Sequence, residues 1–262
     1  MTITPPERVA ELLRPLREEP ASAAVISDYD GTLAPIVGDP TRALPLPQAG
    51  TVLSGLAASY DLVAVVSGRP VAFLSQYLPE DITIIGLYGL ERLEHGRHWE
   101  HPNSGAWRET IADVAALAAV RGPEGMRVEP KGLSLTLHYR EHPEVEREAL
   151  AYAREQGDRS GLEVRRAKKS IELHPPIDAD KGTAIMESVR PADRSILYIG
   201  DDVGDVAAFE ALTRLQKAGR HTVKVAVDSN ELSADLRDRA DLVVPGPEGA
   251  LDLLRSLAPP VR

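Results

Sequence analysis

Six short apolar runs constrain this chain more than any other feature of its sequence. They are Ala23–Ser27, Leu62–Val66, Ile82–Leu87, Ser195–Ile199, Thr222–Val227 and Leu242–Val244. Each is short and largely apolar, so each predicts a buried strand, as in a parallel sheet. Helical patterns separate several of them, at Gln48–Ala58, Val71–Leu78, Lys181–Val189 and Val203–Ala218. A further amphipathic helix is expected over Pro6–Glu18, with Val9, Leu12, Leu13 and Leu16 on one side. Strand alternating with helix implies an α/β fold: a doubly wound, Rossmann-like parallel sheet covered on both faces. Ligands of such sheets bind beyond the C-terminal ends of the strands. Three of the runs stop there on reactive segments: Asp28-Tyr29-Asp30-Gly31-Thr32, Ser67-Gly68-Arg69-Pro70 and Gly200-Asp201-Asp202.

The middle of the chain follows another rhythm. Gly89–Glu100 alternates around His95-Gly96-Arg97 and predicts a hairpin. An Ala-rich helix is expected over Ser104–Val120, a strand over Leu133–Tyr139, a helix over Pro143–Gln156, and one or two strands over Leu162–Leu173. This is a smaller α+β domain, residues 104–175, inserted into a discontinuous core of residues 1–103 and 176–262. Ala34–Pro47 is proline-rich and reads as a loop.

Composition excludes several classes. The formal net charge is -10, which argues against a nucleic-acid partner or an anionic membrane; an anionic substrate would need a local basic pocket. There are no cysteines, so disulfides and thiolate catalysis are out and a cytoplasmic location is expected. The first residues do not read as a signal peptide, and no apolar run approaches the ~18 residues of a membrane span.

Each reactive segment has a plain reading beside a chemical one. Asp28 and Asp30 follow a buried strand with one residue between them, so extended backbone would put both carboxylates on one face. They repel unless a cation or a proton intervenes; alternatively they belong to an Asp-rich turn at Gly31. Asp201, Asp202 and Asp205 could cap a helix, but one Asp suffices for that, and three suggest a metal. Ser67-Gly68-Arg69-Pro70 opens a helix, either as a simple Ser cap or as an anion site. Lys181, at the start of a helix, is either solvated or reaching inward to offset negative charge. His98-Trp99-Glu100-His101 reads as surface, since its histidine spacing in a hairpin finds no third ligand.

Taken in order, Asp28-x-Asp30-Gly31-Thr32, Ser67-Gly68-Arg69, Lys181 and Gly200-Asp201-Asp202 resemble the haloacid dehalogenase superfamily of phosphatases. The resemblance implies that Asp28 attacks phosphorus, that Asp30 protonates the leaving oxygen and then activates water, and that Ser67, Gly68, Arg69 and Lys181 bind the phosphoryl group. It implies magnesium held by Asp28, Asp201 and the Asp30 carbonyl, with Asp202 and Asp205 holding the metal or its waters. Asp28 to Ile36, Gly89-Leu90-Glu91, Glu129-Pro130-Lys131-Gly132-Leu133-Ser134, His138-Tyr139-Arg140 and Lys168 to Pro175 further resemble trehalose-6-phosphate phosphatases. By that resemblance Glu91, Glu129, Lys131, Arg140, Lys168 and Glu172 bind sugar hydroxyls, and the inserted domain is a cap. Tyr88 stands where the family has His, and His174 where it has Arg. The expected function is hydrolysis of trehalose 6-phosphate by a monomer or small homo-oligomer. The rivals are a phosphatase of another phosphorylated disaccharide, of a pseudo-disaccharide or of mannosyl-3-phosphoglycerate, and a non-catalytic sugar-phosphate sensor.

Overall fold

The computed structural model describes residues 5–38, 42–167, 169–229 and 232–258. Lys168 therefore lies outside the described residues. The chain divides into two compact units, one made of the residues up to His98 and from Ala179 onward, the other Trp99–Asp178. The inserted unit is thus somewhat wider at both ends than residues 104–175.

The larger unit carries an eight-stranded sheet, apart from the last two residues of its edge strand Arg97–Glu100. Its strands are β1 (Ala23–Ser27), β2 (Leu62–Val66), β3 (Thr83–Gly86), β4 (Glu91–Glu94), β5 (Arg97–Glu100), β10 (Ser195–Gly200), β11 (His221–Asp228) and β12 (Leu242–Pro245). Their order is β12-β11-β10-β1-β2-β3-β4-β5. The strands from β12 to β3 pair in parallel, and β4 joins β3 antiparallel. The expected hairpin is therefore an extension of the main sheet, turning at His95 and Gly96, both at positive φ.

Alternate residues of each strand serve two separate cores, as a sheet covered on both faces requires. Val25, Val63, Val65, Leu197 and Val225 pack with helices α1 (Pro6–Glu18), α2 (Ala49–Ala57), α3 (Val71–Leu74) and α9 (Gly246–Leu257). Ala24, Ile26, Ala64, Ile196 and Tyr198 pack with α6 (Lys181–Ser188), α7 (Val206–Lys217) and α8 (Ala234–Arg239). Helix α3 ends at Leu74, short of the Val71–Leu78 pattern; the chain continues in turns, with the Gln76 amide donating to the Phe73 carbonyl at 3.2 Å and the Tyr77 amide to the Leu74 carbonyl at 3.0 Å, up to Pro79. The chain runs outward from the centre in both directions, β1 to β3 one way and β10 to β12 the other. The switch in direction falls between β1 and β10, whose C-terminal ends carry Asp28 and Asp201.

The inserted unit has a four-stranded antiparallel sheet in the order β6-β7-β9-β8, from β6 (Arg127–Pro130), β7 (Leu135–His138), β8 (Glu163–Ala167) and β9 (Ser170–His174). Leu135, Leu137, Ile171 and Leu173 pack against Ile111, Val114 and Ala118 of α4 (Arg108–Arg121) and Ala149 and Ala153 of α5 (Glu146–Ser160). Helix α5 stops at Gly161, whose left-handed φ of 78 suits glycine at a helix C-terminus. Among the described residues, no helix is long and apolar enough to cross a membrane.

Candidate active site

Parallel pairing brings the ends of β1 and β10 side by side, with the Asp28 amide donating to the Ile199 carbonyl at 2.8 Å. Helix α6 delivers Lys181 to the same place. Asp180 caps that helix in a reciprocal pair with Thr183, which fixes where the helix starts and therefore where Lys181 emerges. The Lys181 ammonium lies 2.8 Å from Asp28 Oδ1 and 2.7 Å from Asp205 Oδ1, and all three side chains are buried. The lysine thus reaches inward rather than into solvent.

Gly31 explains why the turn after β1 can pass so close. Its φ of 76 is left-handed, and a Cβ there would sit 2.0 Å from Asp201 Oδ2. Gly200 is under similar pressure, since a Cβ would meet the Asp205 carboxylate at 2.2 Å. These glycines let two acidic segments approach each other's side chains. One oxygen from each of Asp28, Asp201 and Asp205 lies within 4.8 Å of the others.

Such crowding shows in the proton affinities. Burial pushes Asp28 well above the ordinary carboxylate range; Lys181 pulls it back, while Asp205, Asp201 and Asp202 push it further up. Burial, then Asp205 and Asp202, raise Asp201 to about 8, against a hydrogen bond from Ser229 and the charge of Lys181. Burial acts to lower Lys181, but Asp205 and Asp28 outweigh it and hold the ammonium well above its usual value. Lys181 by itself does not offset the negative charge of the aspartates around it. That surplus, made of hard oxygen donors, suits a divalent cation such as magnesium.

Asp205, expected to hold a metal or its waters, has both carboxylate oxygens engaged by the chain. Its Oδ1 accepts from Lys181 Nζ at 2.7 Å and the Tyr198 hydroxyl at 2.5 Å; its Oδ2 accepts from the amides of Asp201 at 2.8 Å and Asp202 at 3.0 Å. A carboxylate has about four lone-pair sites, so this one is filled. Asp205 shapes the turn after β10 and anchors Lys181. Asp202 holds the same turn by accepting from the Gly204 amide at 2.8 Å.

Asp28 and Asp30 do not share a cation from the chain. Asp30 is clamped by Arg69, with Nε to Oδ2 at 2.6 Å and Nη2 to Oδ1 at 2.7 Å. Arg69, expected among the phosphate-binding residues, thus turns two of its nitrogens to this carboxylate. Ser67 and Gly68 do lie at the strand end. The Ser67 hydroxyl accepts from the Arg69 amide at 3.2 Å, which leaves its own proton to donate. Gly68 lies under the Tyr88 ring, because a Cβ there would come within 2.5 Å of it. Leu87 and Tyr88 both have positive φ, of 49 and 59, a strained pair of non-glycine residues beside the Ser67 turn. In the sequence Tyr88 stands out only as a departure from the family; its packing on the Ser67–Arg69 loop has no signal there.

Glu91 accepts from the Val71 amide at 2.8 Å and so fixes the start of α3 after that loop. In the inserted unit, Glu129, Thr136, Glu172 and Arg165 stand in one cross-strand row. Glu172 meets Lys131 at 3.4 Å, the Thr136 hydroxyl at 3.4 Å and His174 Nε2 at 3.0 Å. Glu129 pairs with His138 at 2.6 Å, and Arg140 is half-buried just past β7. His174, 2% exposed, was not among the expected sugar-binding residues.

The trehalose-phosphatase family model matches residues 26–241. A trehalose-phosphate phosphatase of Mycobacterium ulcerans is 34% identical over 238 residues, covering 86% of this chain and 59% of that protein. The chain thus spans 59% of the length of this curated relative. Among solved structures, a trehalose-6-phosphate phosphatase related protein matches with a TM-score of 0.74 at 25% identity, covering 90% of this chain and 97% of that one. The C-terminal domain of a Candida albicans trehalose-6-phosphate phosphatase matches in fold with a TM-score of 0.79 at 24% identity, over 98% of both chains. The family match runs from the last residues of β1 to the start of β12 and so takes in every strand-end segment described above; this chain belongs to the trehalose-phosphatase family.

Proposed function

We propose that this chain hydrolyses the phosphate ester of trehalose 6-phosphate in two transfers through Asp28. The observation that carries the reading is the buried Asp28 carboxylate at the end of β1, held 2.8 Å from Lys181 and ringed by Asp201, Asp202 and Asp205. A carboxylate so placed is fixed in direction and shielded from water, which suits a nucleophile. In the first transfer an Asp28 oxygen bonds to phosphorus, the bond from phosphorus to the sugar oxygen breaks, and Asp30 gives that oxygen its proton. In the second, water attacks phosphorus, loses a proton to Asp30, and the bond to Asp28 breaks. Lys181, the Ser67 hydroxyl and the backbone at Gly68 hold the phosphoryl oxygens as their charge grows.

Magnesium fits the surplus of buried carboxylate charge. Asp28, Asp201 and the Asp30 carbonyl would hold it, with Asp202 beside them, and Asp205 would act only through the turn it fixes. When bound, the ion neutralises charge on the phosphoryl group.

The second carboxylate, Asp30, favours a phosphatase over a dehalogenase, since a sugar alkoxide needs a proton on leaving and a halide does not. The inserted unit would select the sugar as a cap, because Glu129, Lys131 and Glu172 offer charged donors and acceptors to hydroxyls.

Phosphate release from a panel of purified sugar phosphates tests the substrate. Trehalose 6-phosphate is expected to rank first by kcat/KM. If another phosphorylated disaccharide, a pseudo-disaccharide or mannosyl-3-phosphoglycerate ranks well above it, the assignment fails while the mechanism stands. If nothing is hydrolysed but a sugar phosphate binds, the chain is a sensor.

A further inference from the structure

We infer that Arg69 is a positioning residue for Asp30, not a ligand of the phosphoryl group. The inference rests on the proposed role of Asp30 as the acid and base of the reaction.

The argument begins with how little else constrains Asp30. Its side chain is 40% exposed, in contrast to the buried Asp28 two residues earlier. Its backbone is tied by a bridge to Ala34 and by the Gly31 amide donating to the Ala34 carbonyl at 2.8 Å. Those bonds fix the turn but not the carboxylate. A carboxylate on the rim of a turn samples several rotamers unless something holds it. The same group must give a proton to the leaving oxygen and then take one from water, and both transfers need the carboxyl in one place.

Arg69 supplies the hold. Its Nε and Nη2 reach the two different oxygens of Asp30 at 2.6 and 2.7 Å, a two-pronged match that fixes the carboxylate plane as well as its position. The guanidinium is itself fixed. It lies 4.2 Å from the centre of the Phe73 ring and 5.6 Å from that of Tyr29. Those rings meet edge to face at 6.1 Å, and the Tyr29 hydroxyl donates to the Ala43 carbonyl at 3.0 Å. The Arg69 backbone is tied on both sides, its amide to Ser67 Oγ and its carbonyl to the Leu87 amide at 3.0 Å. A rigid chain of contacts therefore runs from the ends of β2 and β3 to Asp30. A lysine could not replace the fork, because an ammonium on a flexible stem cannot set a plane.

The two possible roles of Arg69 predict different dependence on the leaving group. A sugar alkoxide must be protonated as it departs; p-nitrophenolate leaves as a stable anion. A ligand of the phosphoryl group serves both substrates equally, whereas a holder of the acid serves only the sugar ester. The test compares kcat/KM, which reports the first transfer, for trehalose 6-phosphate and p-nitrophenyl phosphate in Arg69→Met, Arg69→Lys and Phe73→Leu. Arg69→Met should lose about 100-fold on the sugar ester, the scale of a misplaced general acid, and about fivefold or less on the aryl ester. Arg69→Lys should show the same imbalance, and Phe73→Leu a weaker one. Phe73→Leu also decides the matter if both Arg69 variants fail to fold. Equal losses on both esters, or no loss on either, would overturn the inference. Asp30→Asn separates it from the reading beneath it: if that variant shows no leaving-group imbalance, the role of Asp30 fails instead. If another sugar phosphate proves to be the substrate, that ester takes the place of trehalose 6-phosphate and the comparison is unchanged.

Discussion

The two sheets of this chain place polar side chains in opposite ways. The large sheet is parallel and covered on both faces, so the interior positions of β1, β2 and β10 are apolar and polar groups collect where these strands stop. The small sheet is antiparallel and has helices against one face. Its polar residues, Glu129, Thr136 and Glu172, run across the strands in a row rather than gathering at the ends. A strand end converges backbone amides, a helix start and acids on one point, which suits one phosphorus atom. A sheet face spreads donors and acceptors over a broad surface, which suits the many hydroxyls of a sugar. The first arrangement predicts chemistry common to all substrates and the second predicts choice among them.

The contrast can be broken by substitution. Asp28→Asn should lower kcat by ~10^3-fold or more on every phosphate ester, with folding kept, as judged by circular dichroism and phosphate release. Full activity in that variant would remove the covalent step. Glu172→Gln should cost about 10- to 100-fold in kcat/KM for trehalose 6-phosphate, the worth of ~1.5–3 kcal/mol from a charged hydrogen bond, and leave p-nitrophenyl phosphate turnover unchanged. A loss on both substrates would mean that the face residues are not selective.

A pH experiment sharpens the same contrast, since the raised carboxylates sit at the strand ends. Asp201, raised to about 8, binds its proton more tightly folded than unfolded. The resulting stability is full below the unfolded value of about 4 and disappears as pH rises through 8. Metal-free protein should therefore lose melting temperature from pH 5 to pH 8. Magnesium binds the deprotonated form, so the Tm gain it gives should grow over that range by about 5 °C. A gain independent of pH would place the ion elsewhere. The smallest effect is expected for Thr136→Val, which removes a 3.4 Å contact to Glu172 and should raise KM for the sugar ester by about 2- to 5-fold.

Much of this was legible in the sequence, for reasons that differ from place to place. Strands such as β1 and β10 announced themselves because a buried parallel strand must be continuously apolar and the site begins where that run ends. Strand β6 carried little signal, since in Arg127-Val128-Glu129-Pro130 only Val128 and Pro130 alternate with charged residues. Pairing of the hairpin with β3 was also hidden, because the connection between them turns through Leu87 and Tyr88 at positive φ, residues that carry no turn signal. Within the site, spacing pointed to the acidic positions and to Lys181, but not to what each touches. That Asp205 is filled by Lys181, Tyr198 and two amides, and that Arg69 turns to Asp30, follows from side-chain directions that no local pattern encodes.

The filled carboxylate of Asp205 bears on timing. It ties α6, β10 and the following turn together with groups the chain itself provides. The scaffold around Asp28 and Asp201 is thus assembled when the chain folds, and its ordering entropy is lost then rather than when an ion arrives. Were magnesium held there as proposed, its capture would need no rearrangement of Asp205 or Lys181, so its rate should follow the shedding of water by the ion.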